Sequence, residues 1–129
     1  MPDISWLAVV VATGAGFALG FAYYMLIGGW LADLSTSDSA ERPAWQVPVA
    51  EVARNLVVAI VLAGIAALLG IDSWGDGALL GLVLWVGFPV VLWAGAIFHE
   101  GTKPQLAIAH AGDWLVKLLA MGIIVGAIA

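Results

Sequence analysis

Four long apolar runs, separated by short polar stretches, organise this chain. The first extends from Ile4 to about Leu34 and carries no charge before Asp33. About 20 apolar residues suffice to cross the hydrocarbon layer of a bilayer. The pattern therefore predicts a spanning helix at about 4–32, the surplus length tilting or lying in the interface. Trp6 and Trp30 stand near its two ends, where interfacial aromatics belong. Residues 35–48, STSDSAERPAWQVP, are the one long polar segment, and their Ser, Asp and Pro content marks a loop. The second run, about 49–71, opens with Glu51, Arg54 and Asn55 and then becomes wholly apolar. Pro48 suits a place just before it or in its first turn. DSWGDG at 72–77 reads as a turn.

The third run, about 78–98, has Pro89 in its middle and is followed by His99 and Glu100. In water that proline would break a helix. In a bilayer, neighbouring groups can satisfy the carbonyl it frees, so a kink is expected near Pro89 rather than a break. Residues 101–105 make a tight connection to the last run, about 106–128, which His110, Asp113 and Lys117 interrupt. The expected fold is all-α: an integral membrane four-helix bundle of two antiparallel hairpins, one transmembrane domain over 1–129. A three-span form with an interfacial segment is the lesser alternative.

Composition narrows the class further. Of 129 residues, 64% are hydrophobic and 10% charged, against about a quarter charged in soluble domains. Mean hydropathy is +1.09. A water-soluble fold and a disordered chain are both excluded, since disorder needs low hydrophobicity and many charges. Four spans of about 20 residues leave about 50 for connections, whereas five would leave almost none. The net charge of −5 argues against nucleic-acid partners. With no cysteine, disulfides and thiolate metal sites are ruled out. The start, MPDISW, lacks the basic segment of a cleaved signal peptide, so the first run reads as a retained helix, with a signal anchor as the alternative. Asp3, Asp72 and Asp76 fall on one side of the bundle, and Arg42, Arg54 and Lys103 on the other. The positive-inside rule then places loop 35–48 in the cytoplasm and both termini outside.

Ionisable groups within a span are costly and mark candidate function. His110, Asp113 and Lys117 are spaced by three and four and share a helix face, with Asp113 and Lys117 in the favourable acid-first order. Lys117 lies 12 residues beyond Gln105, about 18 Å deep at 1.5 Å per residue, near the midplane. Glu51, Arg54 and Asn55 form a similar face on the second helix. The candidate cluster is Arg54, Asn55, His110, Asp113 and Lys117, with Tyr23, Tyr24, Glu51, His99 and Glu100 around it. Polar side chains concentrate in the cytoplasmic half, as in a vestibule closed on the outside. The blander interpretation is a structural Asp113–Lys117–Arg54 network that only holds helices together, with Glu51 and Asn55 solvated near the headgroups. Trp85 and Trp93 read as lipid-facing or packing residues. Gly16 and Gly20, Gly77 and Gly81, and Gly122 and Gly126 each form GxxxG, which lets helix backbones approach closely. No catalytic residue is identified: GxSxG is absent, and Gly14, Gly16 and Gly20 depart from GxGxxG by one residue. Two histidines without cysteine give no zinc-type spacing. No metal or cofactor is expected.

Gly20-Phe-Ala-Tyr-Tyr24 with Gly29-Trp30, and Gly81 through Trp85-Val-Gly87-Phe88, resemble segments of one bacterial membrane family. So do Phe98-His-Glu100 with Lys103-Pro104, and His110-Ala-Gly112-Asp113-Trp114-Leu followed by Met121-Gly122. In order and spacing these segments resemble the domain of unknown function 1761 family across nearly the whole chain. The resemblance implies a small four-helix protein of a bacterial inner membrane. It implies no activity and no site residues.

Three expectations of function follow. The first is small-solute or proton handling through the buried cluster, in a homo-oligomer. The second is an accessory or scaffold subunit of a larger membrane complex. The third and weakest is a lipid-modifying enzyme using Glu51, His99 and Glu100. The lipid bilayer is the expected partner in all three.

Overall fold

The computed structural model describes residues 3–34 and 45–128, with the backbone alone for 31–34. Most of the expected loop, residues 35–44, lies outside the described residues. Among these residues all regular structure is helical: α1 (Trp6–Leu34), α2 (Gln46–Leu69), α3 (Trp74–Gly87), α4 (Pro89–Glu100) and α5 (Pro104–Ile128). Four stretches are long and apolar enough to cross a membrane: Trp6–Trp30, Gln46–Leu69, Trp74–Glu100 and Pro104–Ile128.

Local chemistry sets the boundaries. Gly70, at φ 69°, closes α2 in the left-handed conformation, and its N–H reaches back to the Ala66 and Ala67 carbonyls. Ser73 caps α3: its hydroxyl oxygen accepts from the Asp76 N–H at 3.2 Å. Asp76 also places negative charge at the positive end of the helix dipole. The turn expected over 72–77 is therefore shorter, since Trp74 to Gly77 are already helix. Likewise Trp45 caps α2, so Gln46, Val47 and Pro48 form its first turn. His99 and Glu100 belong to the last turn of α4, before Gly101 ends it at φ 70°.

The third spanning stretch is interrupted for one residue at Phe88, whose φ and ψ are −122° and −73°. Pro89 has no N–H to give to the Trp85 carbonyl four residues back, so the hydrogen-bond ladder lapses there. It holds on both sides, from Phe88 N–H to Leu84 O at 3.0 Å and from Leu92 N–H to Phe88 O at 2.9 Å.

Helix α5 is the hub and contacts α1, α2, α3 and α4. In contrast, among the described residues no Cα of α2 comes within 8 Å of one in α4, and none of α1 within 8 Å of one in α3 or α4. The α3–α5 seam is built from glycine. A Cβ on Gly77 would collide with the Gly122 carbonyl, one on Gly81 with the Leu118 carbonyl, and one on Gly126 with the Ser73 carbonyl. Lipid gives helices no hydrophobic reason to associate, so such close backbone contact is a main source of cohesion.

One half of the bundle is sealed by apolar side chains. Val9, Ala12, Leu62, Ala66, Met121 and Val125 are each at most 3% exposed and form one continuous core there. The polar residues occupy the other half. Outward faces carry large apolar groups such as Leu26 and Phe98, as a lipid-facing surface requires.

Candidate functional site

Side chains from α2 and α5 form a chain of alternating charge. Lys117 Nζ lies 3.0 Å from Asp113 Oδ2 and 3.6 Å from Glu51 Oε2. Glu51 Oε1 in turn accepts from Arg54 Nη1 at 2.5 Å. The order is Asp113, Lys117, Glu51, Arg54. Lys117 is 2% exposed and Asp113 3%, whereas the Arg54 side chain is 56% exposed. Two buried ions inside an apolar bundle must pair, because a lone charge there is costly.

Helix α1 contributes space rather than charge. A Cβ on Gly20 would come within 2.7 Å of Lys117 Cε, and one on Gly16 within 2.7 Å of Asn55 Oδ1. The two glycines thus form a groove over the charged chain. Asn55 is buried beside it, and its Nδ2 donates to the Glu51 carbonyl at 2.8 Å. Two buried acceptors find no donor among the described residues: Asn55 Oδ1 and Asp113 Oδ1. Trp114 lies alongside, its ring centroid 5.1 Å from Lys117 Nζ and 5.6 Å from the Arg54 guanidinium, within cation–π range.

A second polar group links α1, α4 and α5. Tyr24 Oη lies 2.7 Å from His110 Nδ1, the proton's position depending on the imidazole tautomer. The other face of this group is Trp93, stacked on His110 at 4.8 Å between centroids and 12° between planes. Tyr23 donates to the Ala109 carbonyl at 2.6 Å, in space kept open because Gly112 has no Cβ. Trp85 donates to the Ala111 carbonyl at 2.8 Å. These two bonds tie α1 and α3 to the backbone of α5 next to Asp113.

Both groups face a cleft of about 890 Å³. Its polar lining includes Tyr24, Glu51, Arg54, His110 and Asp113, and Phe17, Phe21, Trp93 and Trp114 wall it. A second cleft of about 780 Å³ lies between α2 and the α3–α4 stretch and is largely apolar. Arg54, Trp93 and Trp114 line both.

The structure brings Arg54, Asn55, Asp113 and Lys117 together, but Arg54 joins through Glu51 and not as a direct partner of the Asp113–Lys117 pair. Glu51 and Asn55 are not simply solvated: Asn55 is 1% exposed, because the side chain tucks under Gly16. His110 enters the same cleft through Tyr24. His99 is exposed and lines neither cleft; Glu100, also exposed, lines only the second. They sit together in the last turn of α4, and although Glu100 shares the second cleft with Arg54, neither lines the cleft that holds Glu51. Of the two readings expected for Trp93, lipid-facing or packing, the structure shows packing, its ring stacked on His110, and Trp114 is a further cleft residue that spacing alone did not single out. An aromatic three residues before Lys117 on the same helix was the available signal for Trp114.

A family model described as a protein of unknown function, DUF1761, matches residues 7–126, nearly the whole chain. The chain belongs to the DUF1761 family. No curated protein and no solved structure matches it. The matched segment contains every residue of both polar groups, so the charged chain and the tyrosine–histidine–tryptophan group lie inside the DUF1761 domain. Among the described residues of this DUF1761 protein, no three His, Asp or Glu side chains gather as a metal ion would require.

Proposed function

We propose that this protein handles a proton or a small hydrogen-bond-donating solute at the Asp113–Lys117 pair, as a multi-pass protein of a bacterial inner membrane. The observation that carries the proposal is Asp113 itself. One carboxylate oxygen is held by Lys117, while the other is buried, lacks a donor among the described residues, and belongs to a side chain lining an open cleft. A purely structural pair would spend both oxygens on the protein. Polar atoms buried without a partner are rare and point to a ligand, a proton or a water.

The proposal arranges the four spans as two antiparallel hairpins with a bend near Pro89. Contact pairs support the hairpins: Ile4 with Gly64 and Gly16 with Asn55 run in opposite senses along the first two spans, and Gly77 with Gly122 and Gly81 with Leu118 along α3 and α5. Arg42, Arg54 and Lys103 put the cleft on the cytoplasmic side and both termini outside. The apolar core seals the far half, so the cleft is blind and passage requires rearrangement, which a homo-oligomer would provide. The accessory-subunit alternative loses part of its motive, since Gly77, Gly81, Gly122 and Gly126 are spent on packing inside the chain. The enzyme alternative loses the convergence of Glu51 with His99 and Glu100.

Reconstitution in liposomes tests the proposal. Protein-containing vesicles should dissipate an imposed pH gradient, or swell in glycerol or urea, faster than empty vesicles. Asp113→Asn should slow that rate at least about tenfold, a loss of about 1.4 kcal/mol or more of barrier stabilisation. Rates equal to those of empty vesicles for all three probes would remove the proposal.

A further inference from the structure

The two clefts adjoin at Arg54, Trp93 and Trp114, which line both. Their characters are opposite. The first ends on Asp113, Glu51 and His110. The second is walled by Val58, Val61, Leu84, Leu92 and Leu118. It lies where the α2 and α4 backbones stay more than 8 Å apart at every Cα pair, a lateral gap in the bundle where lipid chains would lie.

The polar half specifies its own ligand chemistry. Arg54 Nη1 donates to Glu51, and Lys117 divides its ammonium between Asp113 and Glu51. Two buried acceptors lack a partner among the described residues, Asn55 Oδ1 and Asp113 Oδ1, and of these two residues Asp113, 3% exposed, lines the cleft. An acceptor calls for a donor. An acceptor-only head would reach only the remaining N–H groups of Arg54 and would leave Asp113 Oδ1 without a donor.

We infer that the joined clefts bind one single-chain amphiphile, its hydroxyl or protonated amine donating to Asp113 and its hydrocarbon chain lying between α2 and α4. The inference rests on the proposal that Asp113 is the ligand-binding group and adds that the ligand arrives laterally, from the bilayer. The volumes, about 890 Å³ and 780 Å³, each fall in the range of small-molecule sites, roughly 300–1,000 Å³. Trp93 and Trp114 stand at the junction, where the head meets the chain, and report its occupation by their fluorescence.

The experiment titrates the full chain in phosphatidylcholine nanodiscs with dodecan-1-ol, dodecylamine, methyl dodecanoate and butylamine, reading tryptophan emission. At least one of the two twelve-carbon donors should bind saturably at one per chain, at least tenfold more tightly than methyl dodecanoate, which has no donor. Which of the two binds identifies the head as alcohol or amine. Val61→Phe, which fills the apolar cleft from its exposed side, should weaken that donor at least tenfold. Asp113→Asn should weaken donors of any chain length. Should that variant unfold, the double variant Asp113→Leu with Lys117→Met removes the acceptor without stranding a charge. Equal binding of methyl dodecanoate, or indifference to Val61→Phe, would overturn the amphiphile. If butylamine still bound and were lost with Asp113→Asn, the head site and the proposed function would survive that result. Absence of saturable binding by every donor would remove both.

Discussion

Lys117 and Asp113 are each at most 3% exposed and lie 3.0 Å apart, so each is the other's main counter-ion. Polar contacts between membrane helices are often worth only about 0.6 kcal/mol, but removing one member of a buried ion pair costs about 3–5 kcal/mol, because it strands the other. The second magnitude governs here. Lys117→Met should lower unfolding stability in detergent by about 3–5 kcal/mol, and adding Asp113→Asn should restore part of the loss. Strictly additive losses in a melting series would show that the pair is not coupled. The spacing of Asp113 and Lys117 made this pair legible from the chain alone. The place of Glu51 between Lys117 and Arg54 was not, since it depends on how α2 and α5 rotate against each other. Trp93 was hidden for the same reason: stacking on His110 joins positions on separate helices.

At the scale of elements, α3 and α5 are bound by glycine backbone, whereas other glycines face open space. Gly81→Ala would push a Cβ into the Leu118 carbonyl, and no flexible side chain can yield there. It should cost about 1–3 kcal/mol as an overpacked contact. Gly28 has nothing within 4 Å of its would-be Cβ and lies within α1. Gly28→Ala should be neutral or stabilise by up to about 1 kcal/mol through helix propensity. Thermal melts of the two variants side by side decide the matter, and equal effects would mean the seam is not under close contact. The existence of the spans was readable because long apolar runs permit little else in a bilayer. Their ends were less so: Trp74 looks like an interfacial turn residue until Ser73 is seen to cap the helix before it.

Over the whole molecule, polar groups fill one half and apolar groups the other, and basic residues favour the polar end. The chain has no cysteine, so single cysteines report sidedness without background. In inverted and right-side-out vesicles, Asp72→Cys should react with an impermeant maleimide only from outside and Thr102→Cys only from inside. Labelling of both from one face would overturn the arrangement of spans. The distribution of polar residues along the chain foretold that they gather in one half, but not that two clefts open there, since the second follows from the α2 and α4 backbones standing apart. One feature of the charged chain reaches beyond binding. Glu51, Arg54, Asp113 and Lys117 contribute two negative and two positive formal charges, so the quartet carries none in sum. A transmembrane voltage acts on net charge, at about 2.3 kcal/mol per elementary charge per 100 mV for full passage. Under the proposed function, the unloaded quartet moving as a unit would carry no net charge through the field, and a proton or an ammonium head on Asp113 would add one charge for the voltage to act on.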